Sequence, residues 1–170
     1  PATQSTANAA SVGFVTGDSF SNDSTDWPFL MTSATMYSTA ISGQRLVQME
    51  TTFADQLAFH IANHAIDFAV VQGGVNDIAN NSITLAMAQN AIGNMASVAA
   101  AANVPLFIVN IAPWTNASSQ TKRDEIDMYN AWLDATLGGG SGTAVVDIYS
   151  LLVDPASAQR MNPLYDLDGV

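Results

Sequence analysis

The chain has 170 residues, with fifteen acidic against four basic side chains and a net charge of −11. A field of that sign repels phosphate backbones and anionic lipid, which argues against nucleic-acid and membrane-surface roles. There is no cysteine, so disulfides, thiolate zinc sites and cysteine nucleophiles are excluded as well.

The length suits one domain, and residues 1–170 are read as one. Only 11% of the residues are charged. The polar surface must therefore be built from Ser, Thr, Asn and Gln, and an acidic, lysine-poor surface suits a secreted or periplasmic protein while leaving the cytoplasm open. The opening stretch PATQSTANAAS lacks the charged and apolar regions of a signal peptide. It reads as the stub of a cleaved leader or as part of a linker. No apolar run reaches the roughly 18 residues of a membrane-crossing helix.

Ser11 to Thr16 (SVGFVT) is the first predicted strand, and Met36 to Ile41 a weaker second. Phe53, Leu57 and Ile61 recur at helical spacing. Phe68 to Gln72 (FAVVQ) is the next strand. Leu85, Ala88, Ile92, Met95 and Ala99 then mark a second helix, which must end before Pro105. Leu106 to Ile111 (LFIVNI) is a strand, and Ile126, Tyr129, Leu133 and Leu137 mark a third helix. Gly138 to Gly142 ends that helix and leads into a last strand, Ala144 to Ile148 (AVVDI). The strands are short, β-branched and nearly continuous in hydrophobicity, as parallel strands covered on both faces are. Strand and helix in alternation imply a three-layer α/β/α sandwich around a parallel sheet of about five strands. Ligands of such sheets bind beyond the carboxyl ends of the strands. Chemistry is therefore expected just after Thr16, Gln72 and Ile111.

Two of those places carry suggestive residues. Gly17-Asp18-Ser19-Phe20 follows the first strand and presents either an exposed serine hydroxyl or a plain turn with a serine helix cap. It is not the G-x-S-x-G elbow, because position 21 is serine. Gly73-Gly74-Val75-Asn76-Asp77 follows the FAVVQ strand. The glycines allow a tight turn, and Asn76 offers either an uncharged donor for an oxyanion or an Asx turn. Between them Gly43, in Ser42-Gly43-Gln44, offers a backbone N–H where a side chain is expected to clash, or serves as a turn glycine.

These three blocks, in this order and each at a strand end, resemble the GDSL or SGNH hydrolase family over nearly the whole chain. GDSF matches the first block, Gly43 the second and Gly74-x-Asn76-Asp77 the third. Asp166-Leu167-Asp168-Gly169-Val170 looks like the start of a final Asp-x-x-His block. The resemblance implies a flavodoxin-like sheet and a serine esterase needing no cofactor. It implies that Ser19 is the nucleophile and that the Ser19 N–H, the Gly43 N–H and the Asn76 side chain form the oxyanion hole. Asp168 would orient the base, with Asp18, Gly74 and Asp77 supporting the loops. The family's histidine would follow Val170, where the sequence shown stops. The expectation is a further C-terminal segment carrying that histidine and a last helix.

His60 and His64 share a helix face at i, i+4, as a zinc pair does. Ile61 stands where an HExxH motif has its glutamate, and no third ligand is apparent, so no metal is expected. Both histidines precede the FAVVQ strand, which places them at the opposite end of the sheet from the candidate site. Trp27 and Trp114 lie in loops after strands and either line a cleft or pack, while Trp132 is read as structural. Asn80-Asn81-Ser82 and Asn116-Ala117-Ser118 fit the glycosylation pattern without saying anything of the source. The expected partner is a small-molecule ester with a short acyl group; oligomeric state is open. An acyltransferase acting on sugar hydroxyls, or a non-catalytic module that kept the fold and lost the base, are the competing readings.

Overall fold

The computed structural model describes residues 3–4, 11–22, 28, 33–79, 83–114, 119–138 and 142–161. Its elements in chain order are strands β1 (Thr3–Gln4), β2 (Ser11–Gly17) and β3 (Ala34–Ser38), then helix α1 (Leu46–His64). Strand β4 (Phe68–Gln72) is followed by the short helix α2 (Val75–Ala79) and by α3 (Leu85–Ala101). Strand β5 (Leu106–Val109), helix α4 (Gln120–Thr136), strand β6 (Thr143–Val146) and helix α5 (Tyr149–Leu152) come next. A hairpin of β7 (Val153–Asp154) and β8 (Ser157–Met161) ends the described chain.

The main sheet has the order β1-β3-β2-β4-β5-β6. Strands β3, β2, β4, β5 and β6 are mutually parallel, and β1 joins the β3 edge antiparallel. Counting the parallel strands alone along the chain gives 2-1-3-4-5, the flavodoxin-like order. The winding reverses between β2 and β4, so a crevice opens beyond their carboxyl ends. Gly17 pairs with Gln72, so the two strands end level. The turns that follow them start side by side.

Both faces of the sheet are apolar. Phe14, Ala69, Val71, Leu106 and Ile108 join the larger core with the buried stripes of α1, α3 and α4. On the other face Val15, Met36, Val70 and Val109 form a second cluster, against which Phe68 and Ile148 pack. The α1 stripe is Leu46, Met49, Phe53, Leu57 and His60. Ile61 lies outside it and is 39% exposed; the i, i+4 reading of that helix ran one residue off its buried face. In α3 the buried positions include Ala88, Ala91, Ala96 and Ala99 beside Ile92 and Met95. Ile126, Tyr129 and Leu133 line the buried face of α4, as their spacing implied.

Candidate active site

Three chain segments meet at the carboxyl ends of β2, β3 and β4. After β2, Asp18 caps a single 3-10 turn, Ser19–Ser21, accepting the Phe20 N–H at 3.1 Å. Ser19 leads this turn and is exposed, while Asp18 beneath it is fully buried. The Ser21 hydroxyl donates to Gln72 Oε1 at 3.1 Å, and the Gln72 side chain also bonds to Asp18. The last residue of β4 thus ties down both flanks of Ser19.

The second segment continues the β3 ladder beyond the strand. The Ile41 N–H donates to the Gly17 carbonyl at 3.0 Å, which seats Ile41-Ser42-Gly43 against the start of the GDSF turn. A bond from the Gln44 N–H to the Ile41 carbonyl closes the turn. Gly43 has φ +76, and a Cβ there meets nothing within 4 Å. The expectation of a steric clash is therefore corrected: the left-handed backbone, and not lack of space, favours glycine.

The third segment is α2. Gly74 requires glycine on both counts, with φ +116 and a Cβ that would lie 2.8 Å from Ile111 Cδ1. Asn76 follows within the helix, not in an Asx turn. Its Nδ2 donates to the Gln44 carbonyl at 3.1 Å and to Asp18 Oδ2 at 3.4 Å. One amide therefore touches the neighbour of Ser19 and the neighbour of Gly43. Asp77 turns the other way: its Oδ2 accepts the Leu46 N–H at 2.8 Å, and the carboxylate also accepts the Val47 N–H. It caps α1 from outside the helix and satisfies donors that a helix start leaves without partners. At the far end of α2, Lys122 on α4 donates to the Ile78 and Ala79 carbonyls, both at 2.7 Å.

Burial raises the pKa of both Asp18 and Asp77 above the usual carboxylate value, against the lowering effect of the N–H groups each accepts. An open cavity of about 480 Å³ lies beside Asn76, lined by Gly43, Arg45, Gln48, Asn76 and Ala79. Phe20, 58% exposed, and Ile41, 57% exposed, put apolar side chains next to Ser19 and Gly43 in sequence.

The structure thus brings Asp18, Ser19, Gly43, Gly74, Asn76 and Asp77 to one edge of the sheet. Asp168 lies outside the described residues, as do Trp27, Asn80 to Ser82 and Asn116 to Ser118. The histidines stay away from this edge. His60 is buried and stacked on Phe14 at 4.5 Å between ring centroids, and His64 stacks on Tyr37 at 3.8 Å. Phe14 sits three residues before the end of β2, about 10 Å below it at the usual rise per residue. Trp114 and Trp132 are partly buried against the larger core, Trp132 beside Tyr129. Gln72, Arg45, Gln48 and Lys122 were not anticipated as site residues. A polar residue closing an otherwise apolar strand was the available signal for Gln72. Helix-start position alone marked Arg45 and Gln48.

The fold is that of the SGNH hydrolases. A Bacteroides fragilis protein assigned as an acylhydrolase superposes with a TM-score of 0.75 at 23% identity, covering 94% of this chain and 77% of that one. A GDSL-like lipase from Bacteroides thetaiotaomicron superposes at 0.69 and 19% identity, covering 94% and 78%. AlinE4, an SGNH-hydrolase family esterase, superposes at 0.64 and 14% identity, covering 85% and 80%. The chain belongs to the GDSL-like lipase/acylhydrolase family, whose profile it matches over residues 12–168. No curated protein matches it in sequence. Membership supports a hydrolase of the esterase or lipase kind. No helix among the described residues is long and apolar enough to cross a membrane.

Proposed function

We propose that the protein hydrolyses small carboxylic esters with short acyl groups through an acyl-enzyme on Ser19. The observation that carries this reading is the double contact of the Asn76 amide, which ties the Ser19 and Gly43 turns together over the crevice. Ser19 Oγ attacks the acyl carbonyl and gives its proton to the base. The oxyanion so formed is held by the Ser19 N–H, the Gly43 N–H and Asn76 Nδ2, neutral donors fixed before the substrate arrives. The longer of the two Asn76 bonds, that to Asp18, is the one released to the oxyanion. The C–O bond to the alcohol then breaks, and the base protonates the leaving oxygen. Water resolves the acyl-enzyme by the same route in reverse, releasing the acid and restoring Ser19.

The base is assigned to a histidine following Val170, the place the Asp-x-x-His pattern gives it when Asp168 is its aspartate. His60 and His64 are packed too far down the sheet to take that role. The test is labelling by a serine-directed phosphonate, with hydrolysis of an aryl acetate followed in parallel. Ser19→Ala is expected to abolish both, and label that survives the substitution moves the nucleophile elsewhere. Asn76→Ala is expected to lower turnover by roughly 10²–10³, the effect of losing one oxyanion donor. An unchanged rate would remove Asn76 from the hole.

A further inference from the structure

We propose that the cavity beside Asn76 selects esters that also carry a carboxylate, which the guanidinium of Arg45 receives through charge-assisted hydrogen bonds. The proposal rests on the reading that this crevice holds the ester. Two of the five cavity residues, Gly43 and Asn76, are those assigned to the oxyanion, and Arg45 and Gln48 continue the wall away from them. Ser19 is not among the lining residues, so on this reading the carbonyl sits at the cavity's Gly43–Asn76 end and a substituent of the same ester extends towards Arg45.

Arg45 is held and not merely near. Gln48 Oε1 accepts both the Arg45 N–H, at 3.0 Å, and Arg45 Nε, at 3.3 Å. That leaves the two terminal amino groups of the guanidinium, which have no hydrogen-bond partner among the described residues. They form the flat fork that binds a carboxylate in two parallel bonds. Asp77 is coupled to Arg45 electrostatically, yet its carboxylate is spent on the Leu46 and Val47 N–H groups. It balances the charge without occupying the fork. Lys122 is held by two carbonyls and Arg123 bonds Gln120 of its own helix, which leaves neither as a substitute at this cavity.

The choice of an anion runs against the overall charge of −11. Distance settles the conflict. At physiological ionic strength charges are screened beyond about 8 Å, so the distant surface acids act weakly inside the cavity. Close by, Asp77 offsets part of the Arg45 charge and Asp18 is bonded to Asn76, so the attraction comes from direct hydrogen bonds to the guanidinium at contact distance.

The experiment uses the full chain with Ser19→Ala, which binds esters without turning them over, and titrates three compounds by nuclear magnetic resonance. Monomethyl succinate carries its carboxylate on the acyl side. Its isomer 3-acetoxypropanoate carries it on the alcohol side. Methyl 4-oxopentanoate replaces the carboxylate of the first by a neutral ketone. One of the two carboxylates is expected to bind better than the ketone, and which one identifies the side of the ester that faces Arg45. Adding Arg45→Gln is expected to reduce that preference by roughly ten- to hundredfold, the effect of losing hydrogen bonds to a charged group. Arg45→Lys keeps the charge without the fork and is expected to reduce it less. Gln48→Leu, which frees the guanidinium while leaving it in place, is expected to fall between wild type and Arg45→Gln. The same spectra report whether each variant is folded. No binding by either carboxylate, no preference over the ketone, or a preference that Arg45→Gln leaves intact overturns the proposal. Because no chemistry occurs in these titrations, failure of the wild-type chain to be labelled by the phosphonate at Ser19, with the preference retained, would sink the hydrolase reading alone.

Discussion

Asp77 offers a test of how the site is held together, because two effects of opposite sign meet on one carboxylate. Its Oδ2 supports the Leu46 and Val47 N–H groups at the start of a 19-residue helix. Asp77→Ala leaves those donors without an acceptor in a buried place. Losing a helix cap costs about 0.5–2 kcal/mol, and a hydrogen bond to a charged group contributes about 1.5–3 kcal/mol. Relief of the carboxylate's own burial offsets part of this, so a net loss of about 2–3 kcal/mol is expected. With a urea slope of about 2 kcal/mol per molar, the unfolding midpoint falls by about 1 M. Asp77→Asn separates shape from charge. Burial raises the Asp77 pKa above its ordinary value of 3.8 despite the two N–H groups. A raised carboxyl pKa means that the neutral acid is the form folding favours. The stabilisation is full below the ordinary value and is lost as pH rises through the folded one. Asparagine keeps an acceptor for Leu46 and is neutral throughout. Asp77→Asn is therefore expected to be at least as stable as wild type at pH 7, and the two to converge near pH 3 to 4. Urea unfolding at both pH values measures this. An Asp77→Asn protein as weakened at pH 7 as Asp77→Ala would refute the reasoning, since the negative charge at the helix start would then outweigh its burial.

Substitutions at two further positions probe where sequence and structure divide. Burial first, and His64 second, push the His60 pKa down to about 4. A lowered histidine pKa gives stability that is full above about 6.5 and declines as pH falls towards 4. His60→Phe should gain on wild type across that interval in thermal unfolding, and a difference that does not change with pH would refute the assignment. Gly43→Ala introduces a Cβ into open space at φ +76. Only backbone strain opposes it, so a loss of about 1–2 kcal/mol is expected by chemical unfolding, with Gly43→Asn losing less; no loss would show that the turn relaxes freely.

The strands were legible where burial on both faces leaves an unbroken apolar run. Phe68 to Gln72 is read from end to end, and Ser11 to Thr16 misses one residue. The second parallel strand is Ala34–Ser38 and not Met36 to Ile41, because ATMYS alternates buried and half-buried side chains and so lacks the run. The expected strands at Leu106 and Ala144 overshot, since Asn110 and Asp147 end them. Asn110 accepts the Ile148 and Tyr149 N–H groups and donates to Asp147, so its side chain takes over where the ladder stops. Strand β1 and the β7-β8 hairpin pair through the backbone without an apolar pattern and left no trace in the sequence. At the site, the blocks are legible because glycine and short polar residues mark strand ends. The partners that hold them are not. Gln72 reaching Ser21 spans 51 positions and Asp77 reaching Leu46 spans 31, and no local pattern encodes a bond of that range.

The two buried carboxylates at this sheet edge, Asp18 and Asp77, invite a different version of the proposed mechanism, in which one of them is the base. Their bonding argues against it. Asp18 already accepts from the Phe20 N–H, the Gln72 side chain and the Asn76 amide. Taking the proton of Ser19 would weaken the bonds from Phe20 and Gln72 that hold the serine turn in place. Asp77 faces the start of α1, not the serine. Each carboxylate instead joins two segments: Asp18 links the serine turn to α2, and Asp77 links α2 to the helix that follows the Gly43 turn. Asn76 closes the triangle through the Gln44 carbonyl. In the proposed mechanism the Gln44 carbonyl keeps the Asn76 amide in position when its bond to Asp18 is released, so that donor reorganises little as charge appears. A charged group serves such a site best when it fixes the donors from behind and takes no part in the transfer itself.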